Sequence, residues 1–228
     1  MNKLSLFVFF IFISLIPVKS FSLTRVDWNY EENGPLCPYM GYGMCISLKY
    51  SGDIQEGDYK KLNDFITNIS KLNPKTRIGV IYLNSNGGDL YESFMLGKLI
   101  REHKIQVVIP MNSHCYSSCV FVLAAGVGRL SFGDVGIHSF YSVKTLDKNF
   151  NYDEEDKVYQ KTLNDIRNYL NYMRVSQKIV DMMLTVPSSN LHILSSDELK
   201  ETGLLGIDPL FQQYLVSQGM LKPPKVIQ

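Results

Sequence analysis

The amino-acid sequence predicts an α/β fold, a layer of strands joined by crossover helices, and three observations carry that expectation. Apolar runs of strand length alternate with segments of helical periodicity. Turns rich in Gly, Pro or Asn separate the two kinds of segment, and no repeat, low-complexity tract or linker interrupts residues 45–210. With 228 residues, 45% of them hydrophobic, the chain can bury a core without a metal or disulfide staple.

Residues 46–50, Ile-Ser-Leu-Lys-Tyr, alternate apolar and polar as a strand does. Ser51-Gly52-Asp53 turns the chain into a helix over 58–72, with Leu62, Phe65, Ile66 and Ile69 on one face and Asn73-Pro74 as its stop. Residues 78–83 form a near-continuous apolar run, the pattern of a strand covered on both faces. Asn86-Gly87-Gly88-Asp89 then opens a helix that runs to about His103. Residues 105–109 are a strand closed by Pro110; a helix opens near Ser117 and runs through 120–125; residues 135–140 are a further strand. Residues 153–174 predict a long amphipathic helix, with Asp153, Glu154, Glu155 and Asp156 favouring its N-terminus. Its stripe of Val158, Leu163, Ile166, Leu170 and Met173 packs on its own domain or on a second copy of the chain.

The first residues read as a targeting segment. Lys3 precedes a run over 4–18 broken only by Ser5, Ser14 and Pro17, and Val18-Lys19-Ser20 supplies a cleavage site. That run is shorter than the roughly 20 apolar residues a membrane span needs. The expectation is a cleaved signal peptide over 1–20 and a periplasmic or secreted protein, with an inner-membrane anchor as the alternative. An N-terminal extension over 21–45, a folded domain over 46–210 and a tail over 211–228, with Pro223-Pro224, complete the division. The formal net charge of +1 becomes slightly negative once Lys3 and Lys19 are removed, so no basic surplus exists to bind nucleic acid. The chain has no phosphate loop of the Gly-x4-Gly-Lys-Ser/Thr kind, so no nucleotide is expected, and no cofactor either.

Export makes the four cysteines an even set in a compartment that allows disulfides. Cys37, Cys45, Cys115 and Cys119 permit three pairings, of which Cys37–Cys45 is preferred because it closes a short Pro/Gly-rich loop. Cys115 and Cys119 would brace the intervening turn if paired, or be small core residues if free. Neither spacing suits a structural zinc site, so no metal is expected.

Three features could carry chemistry together. Ser85-Asn86-Gly87-Gly88 follows a strand and precedes a helix, where paired glycines leave N–H groups pointing outward. Cys115-Tyr116-Ser117-Ser118-Cys119 sits at the next such junction, and Gly136-Ile137-His138 lies on the strand after it. Each has a plain structural explanation alone: a steric turn, a helix cap, a core histidine. In this order they offer a serine, a base and oxyanion donors on successive strand ends.

At these residues the sequence resembles the Clp-protease/crotonase superfamily, and more narrowly exported bacterial proteins related to the Clp protease proteolytic subunit. The match starts at Ser51-Gly52-Asp53-Ile54 and Gly57-Asp58. It continues through Leu83-Asn-Ser-Asn-Gly-Gly88, with Asn86 in place of the family's proline, and through Cys115-Tyr-Ser-Ser-Cys119, Leu123-Ala-Ala-Gly126 and Gly136-Ile-His138. Leu194-Ser-Ser-Asp-Glu-Leu199, Gly203-Leu204 and Ile207-Asp208 resemble the late segment, so about 46–208 is covered.

The resemblance implies a spiral of ββα units, Ser117 as nucleophile, His138 as general base, and an oxyanion hole from the N–H groups of Gly88 and Ser118. It also implies a peptide or protein substrate. Where the family has an Asp as third triad member, this chain has Ser189-Asn190-Leu191-His192, so the carried-over residue is Asn190, which lacks a full charge. His114 is a local rival base, and Lys144 or Lys178 could serve a Ser–Lys dyad, though no spacing supports either. The leading expectation is an exported, ATP-independent serine hydrolase, with homo-oligomerisation through the 153–174 helix and membrane contact only if the signal segment stays uncleaved. The alternatives are a catalytically weak or inactive binding or assembly protein on the same fold and, third, an acyl-CoA enzyme.

Overall fold

The computed structural model describes residues 22–27, 44–140 and 152–222. The expected signal segment, Cys37, Lys144 and residues 223–228 lie outside the described residues.

The predicted α/β class is what the chain adopts. Its elements, in order, are β1 (Ser22–Asp27), β2 (Met44–Ser51), α1 (Asp58–Leu72), β3 (Thr76–Asn84), α2 (Leu90–Glu102), β4 (Gln106–Ile109), β5 (His114–Tyr116) and α3 (Cys119–Ala125). Then come β6 (Gly128–Ser131), β7 (Asp134–Ile137), α4 (Tyr152–Tyr172), α5 (Lys178–Thr185), β8 (His192–Ile193), α6 (Ser196–Thr202), β9 (Gly206–Ile207) and α7 (Pro209–Ser217). The strands form two mixed sheets, β1-β2-β3-β4-β6-β9 and β5-β7-β8.

Strands β2, β3, β4 and β6 are parallel and lie side by side in chain order. Right-handed crossovers that always step the same way place α1, α2 and α3 on one face of that sheet. There Ile46, Leu48, Ile81, Leu83, Val107 and Ile109 of the strands join Leu62, Ile66, Leu96, Leu99, Phe121 and Leu123 of the helices in one buried cluster. The long helix α4 docks on it through Tyr169, whose ring stacks on Phe94 at 4.3 Å and whose hydroxyl donates to the Phe121 carbonyl at 2.8 Å. That bond fixes α3, which begins at the Ser117 turn. The stripe of α4 is divided: Ile166, Leu170 and Met173 are buried, while Val158, a turn or two earlier, is exposed.

The second, smaller sheet was not legible as a separate unit. Its strands are two to four residues long, too short to show an alternating pattern. The expected tail over 211–228 also needs correction. Residues 209–217 form α7, with Phe211 and Leu215 buried against Val127, so any tail begins after it. Asp208, which caps α7, is itself 1% exposed and faces Arg101, Arg129 and Arg174. Among the described residues no helix is long and apolar enough to cross a membrane.

One surface feature ties the small sheet down. Ser195 and Glu198 form a capping box at the start of α6, and the Glu198 carboxylate also meets His192 Nε2 of β8 at 2.9 Å. The Ser195 backbone N–H, then His192, hold the Glu198 carboxyl down at about 2, from an ordinary 4.5. A depressed carboxyl binds its proton less tightly folded than unfolded, so its contribution is complete above about 4.5 and fades as pH falls toward 2. Glu198→Ala is expected to cost about 1 kcal/mol near neutral pH, the usual size of a cap. Urea unfolding at decreasing pH should show wild type and variant converging. A gap independent of pH would mean that the carboxylate charge contributes nothing.

Candidate active site

Ser117 stands between β5 and α3 with φ of 54°, the left-handed region that a serine adopts only under constraint. Two constraints surround it. The Ser117 N–H donates to the Gly136 carbonyl of β7 at 3.0 Å, and a disulfide joins Cys115 to Cys119 with Cα atoms 5.2 Å apart. The pair therefore braces the turn, the first of the two alternatives the spacing left open. Cys45 is disulfide-bonded as well, while Cys37, the partner expected for it, lies outside the described residues.

The double-glycine turn is stitched to this serine turn residue by residue. Ser85, buried, accepts from Tyr116 N–H at 3.0 Å through its carbonyl and donates its own N–H to the His114 carbonyl at 2.8 Å. Its hydroxyl accepts from Gly87 N–H at 3.1 Å. Gly87 has φ of 97°, and a Cβ placed on it would sit 2.7 Å from the Tyr116 carbonyl oxygen and 2.9 Å from Ser118 N. Gly88 is clasped by Ile54, which donates to the Gly87 carbonyl at 2.7 Å and accepts from Asp89 N–H at 2.9 Å. The Ser118 hydroxyl closes the junction by donating to the Gly88 carbonyl at 3.1 Å.

This stitching engages many of the backbone groups of the two turns but leaves several N–H donors over, those of Gly88 and Ser118 among them. Among the described residues, neither the Gly88 N–H nor the Ser118 N–H donates to any protein group. Gly88 is an exposed residue, while Ser118 is buried, where an idle donor is uncommon.

His138 is half-buried just past the end of β7, the strand that pairs in parallel with β5. Its Nδ1 lies 2.8 Å from the main-chain carbonyl of Ser139. A carbonyl only accepts, so Nδ1 carries the proton and the neutral ring keeps its lone pair on Nε2. Among the described residues no hydrogen bond joins Ser117 Oγ to His138, although the two stand at neighbouring ends of the paired strands. Asn190 is exposed, and its Oδ1 accepts from Ser189 Oγ at 3.2 Å rather than from His138.

The other sequence candidates stand elsewhere. His114 stacks on Tyr116 with ring centroids 4.5 Å apart, and its Nε2 meets Asn86 Oδ1 at 2.9 Å, while Asn86 donates to Asp53 at 3.0 Å. His114 thus buttresses the double-glycine turn instead of facing the serine. Lys178 is exposed at the start of α5 and paired with Glu201. The Asn86 contacts went unforeseen, although a polar side chain in a tight turn was the available signal. No family model and no curated protein matches the chain.

Proposed function

We propose that this protein is an exported, ATP-independent serine hydrolase acting on peptide bonds, built on a fold of the Clp-protease/crotonase type. The observation that carries the reading is the pair of unengaged N–H groups, Gly88 and Ser118, in the two turns bonded together at a serine held in the left-handed region. Preorganised donors aimed at a developing oxyanion are worth about 10²–10³ each in turnover. His138 Nε2 takes the Ser117 Oγ proton as Oγ bonds to the acyl carbon, and the carbonyl oxygen becomes the oxyanion held by the two N–H groups. Collapse breaks the bond to the leaving amine, which receives the proton from His138; water then repeats the sequence on the acyl-enzyme. Neutral surface charge suits such a site, since none of these groups needs a charged partner on the surface.

A second reading, a binding or assembly protein on the same fold, draws support from His138 having no carboxylate partner among the described residues. A fluorophosphonate probe separates them. Labelling of wild type at neutral pH, lost in Ser117→Ala with the fold intact by circular dichroism, is the expected result. Folded wild-type protein that takes up no probe at Ser117 would leave only the binding reading.

A further inference from the structure

We infer that the main-chain carbonyl of Ser139, and not the side chain of Asn190, orients the His138 imidazole. The inference deepens the hydrolase reading and rests on it for its catalytic meaning. The third member of a serine triad has two separable tasks: it fixes which ring nitrogen carries the proton, and it stabilises the imidazolium. The first task requires an acceptor at Nδ1 that cannot itself donate. The Ser139 carbonyl meets that requirement at 2.8 Å. An amide side chain meets it only when its oxygen faces the ring, and the Asn190 oxygen is turned to Ser189.

The carbonyl is also well anchored. The Ser139 N–H donates to the Val186 carbonyl at 2.8 Å, which ties the residue after His138 to the end of α5. Asn190 N–H donates to the Pro187 carbonyl at 2.9 Å, so the segment bearing Asn190 is folded back on itself one residue beyond that anchor. The short sheet adds a further hold, with Ile137 paired to His192 and Gly136 to Ile193. His138 is therefore oriented by main chain that its own strand and α5 immobilise. Nε2 is left as the free base, and the second task, charge stabilisation, is left to a carbonyl dipole.

The test reads the tautomer directly. In full-length protein with ¹⁵N-labelled histidine at about pH 8, where an ordinary imidazole is neutral, ring ¹H–¹⁵N correlation spectra report which nitrogen is protonated. The chain has four histidines, so the signal missing from His138→Gln identifies the ring. The expected result is an Nδ1–H tautomer in wild type that persists in Asn190→Ala. Fluorophosphonate labelling of Asn190→Ala should stay within about twofold of wild type, as for an exposed side chain that makes no hydrogen bond to His138. An Nε2–H tautomer, or an Nδ1–H signal lost in Asn190→Ala, overturns the inference. So does a fall in labelling by about tenfold or more in that variant, a step toward the ~10⁴ that a wrong tautomer costs. Nδ1–H in a wild type that takes up no probe upholds the orientation by Ser139 while the hydrolase reading falls.

Discussion

Asp208→Ala is expected to destabilise the protein by about 3–5 kcal/mol, the scale for removing one partner from a buried ionic cluster. Asp208 accepts from Leu210 and Phe211 N–H, both at 3.1 Å, and its carboxylate faces Arg101 at 2.8 Å, Arg174 at 3.4 Å and Arg129 at 3.7 Å. Arg129 is 2% exposed. Burial, and then Arg101, push its guanidinium down to about 10, so it remains charged at neutral pH. Arg129 and Arg101 also donate to carbonyls that end helices: Gly126 and Ala124 at the end of α3, Met173 after α4 and Gly203 after α6. One carboxylate thus holds three cations at the meeting point of five helices, counting α2, which carries Arg101, and α7, which it caps.

Two effects compete in that prediction, and a second variant ranks them. The cap alone is worth about 1 kcal/mol. Asp208→Asn keeps an oxygen for the two N–H groups but removes the charge, so it should lose nearly as much as Asp208→Ala if the uncompensated arginines dominate. At roughly 2–4 °C per kcal/mol for a chain of this size, both midpoints should fall by about 6–20 °C. Asp208→Asn melting with wild type would show instead that capping is the whole contribution. The acid side gives an independent check. Burial would raise the Asp208 carboxyl, but the Phe211 N–H and the three arginines hold it below its ordinary value. Its stabilisation is therefore present above the ordinary carboxylate range and is lost as pH falls through the depressed one.

The parts of this fold that were legible in the sequence are those with long periodic signals. Residues 58–72 carried a helical stripe and an Asn-Pro stop, and α1 occupies Asp58–Leu72. The apolar run at 78–83 lies within β3, although Gly79, Val80 and Tyr82 are only half-buried where cover on both faces is expected, and the stripe at 153–174 falls within about two residues of α4. Elements of two residues, such as β8 and β9, carry no period and are held by pairing alone. Helix α7 has a short start signal, the cap Asp208 followed by Pro209 at the first turn, and that signal overlaps the Ile207-Asp208 motif. At the candidate site, Ser117, His138, Gly88 and Ser118 are what the family resemblance implies. The group on His138 Nδ1 was out of reach, because a main-chain carbonyl is present at every position and leaves no mark in a sequence.

Gly87→Ala is expected to slow fluorophosphonate labelling of Ser117 by about 10²-fold or more, if Ser118 N–H is an oxyanion donor. The new methyl carbon would approach the Tyr116 carbonyl oxygen at 2.7 Å, Ser117 Cβ at 2.8 Å and Ser118 N at 2.9 Å, all closer than ordinary contact. Two of those atoms are backbone, held by Ser85 and by the Cys115–Cys119 disulfide, so neither turn can yield without moving the serine or its donors. A left-handed alanine adds only about 1–2 kcal/mol of backbone strain, a small sum for a chain with this core. The effect on reactivity should therefore far exceed the effect on folding. Labelling measured well below the melting midpoint, beside the midpoint itself, separates the two. If the rate falls only in proportion to the unfolded fraction, the close approach of Gly87 to Ser118 serves packing alone, and the N–H pair loses its claim as an oxyanion hole.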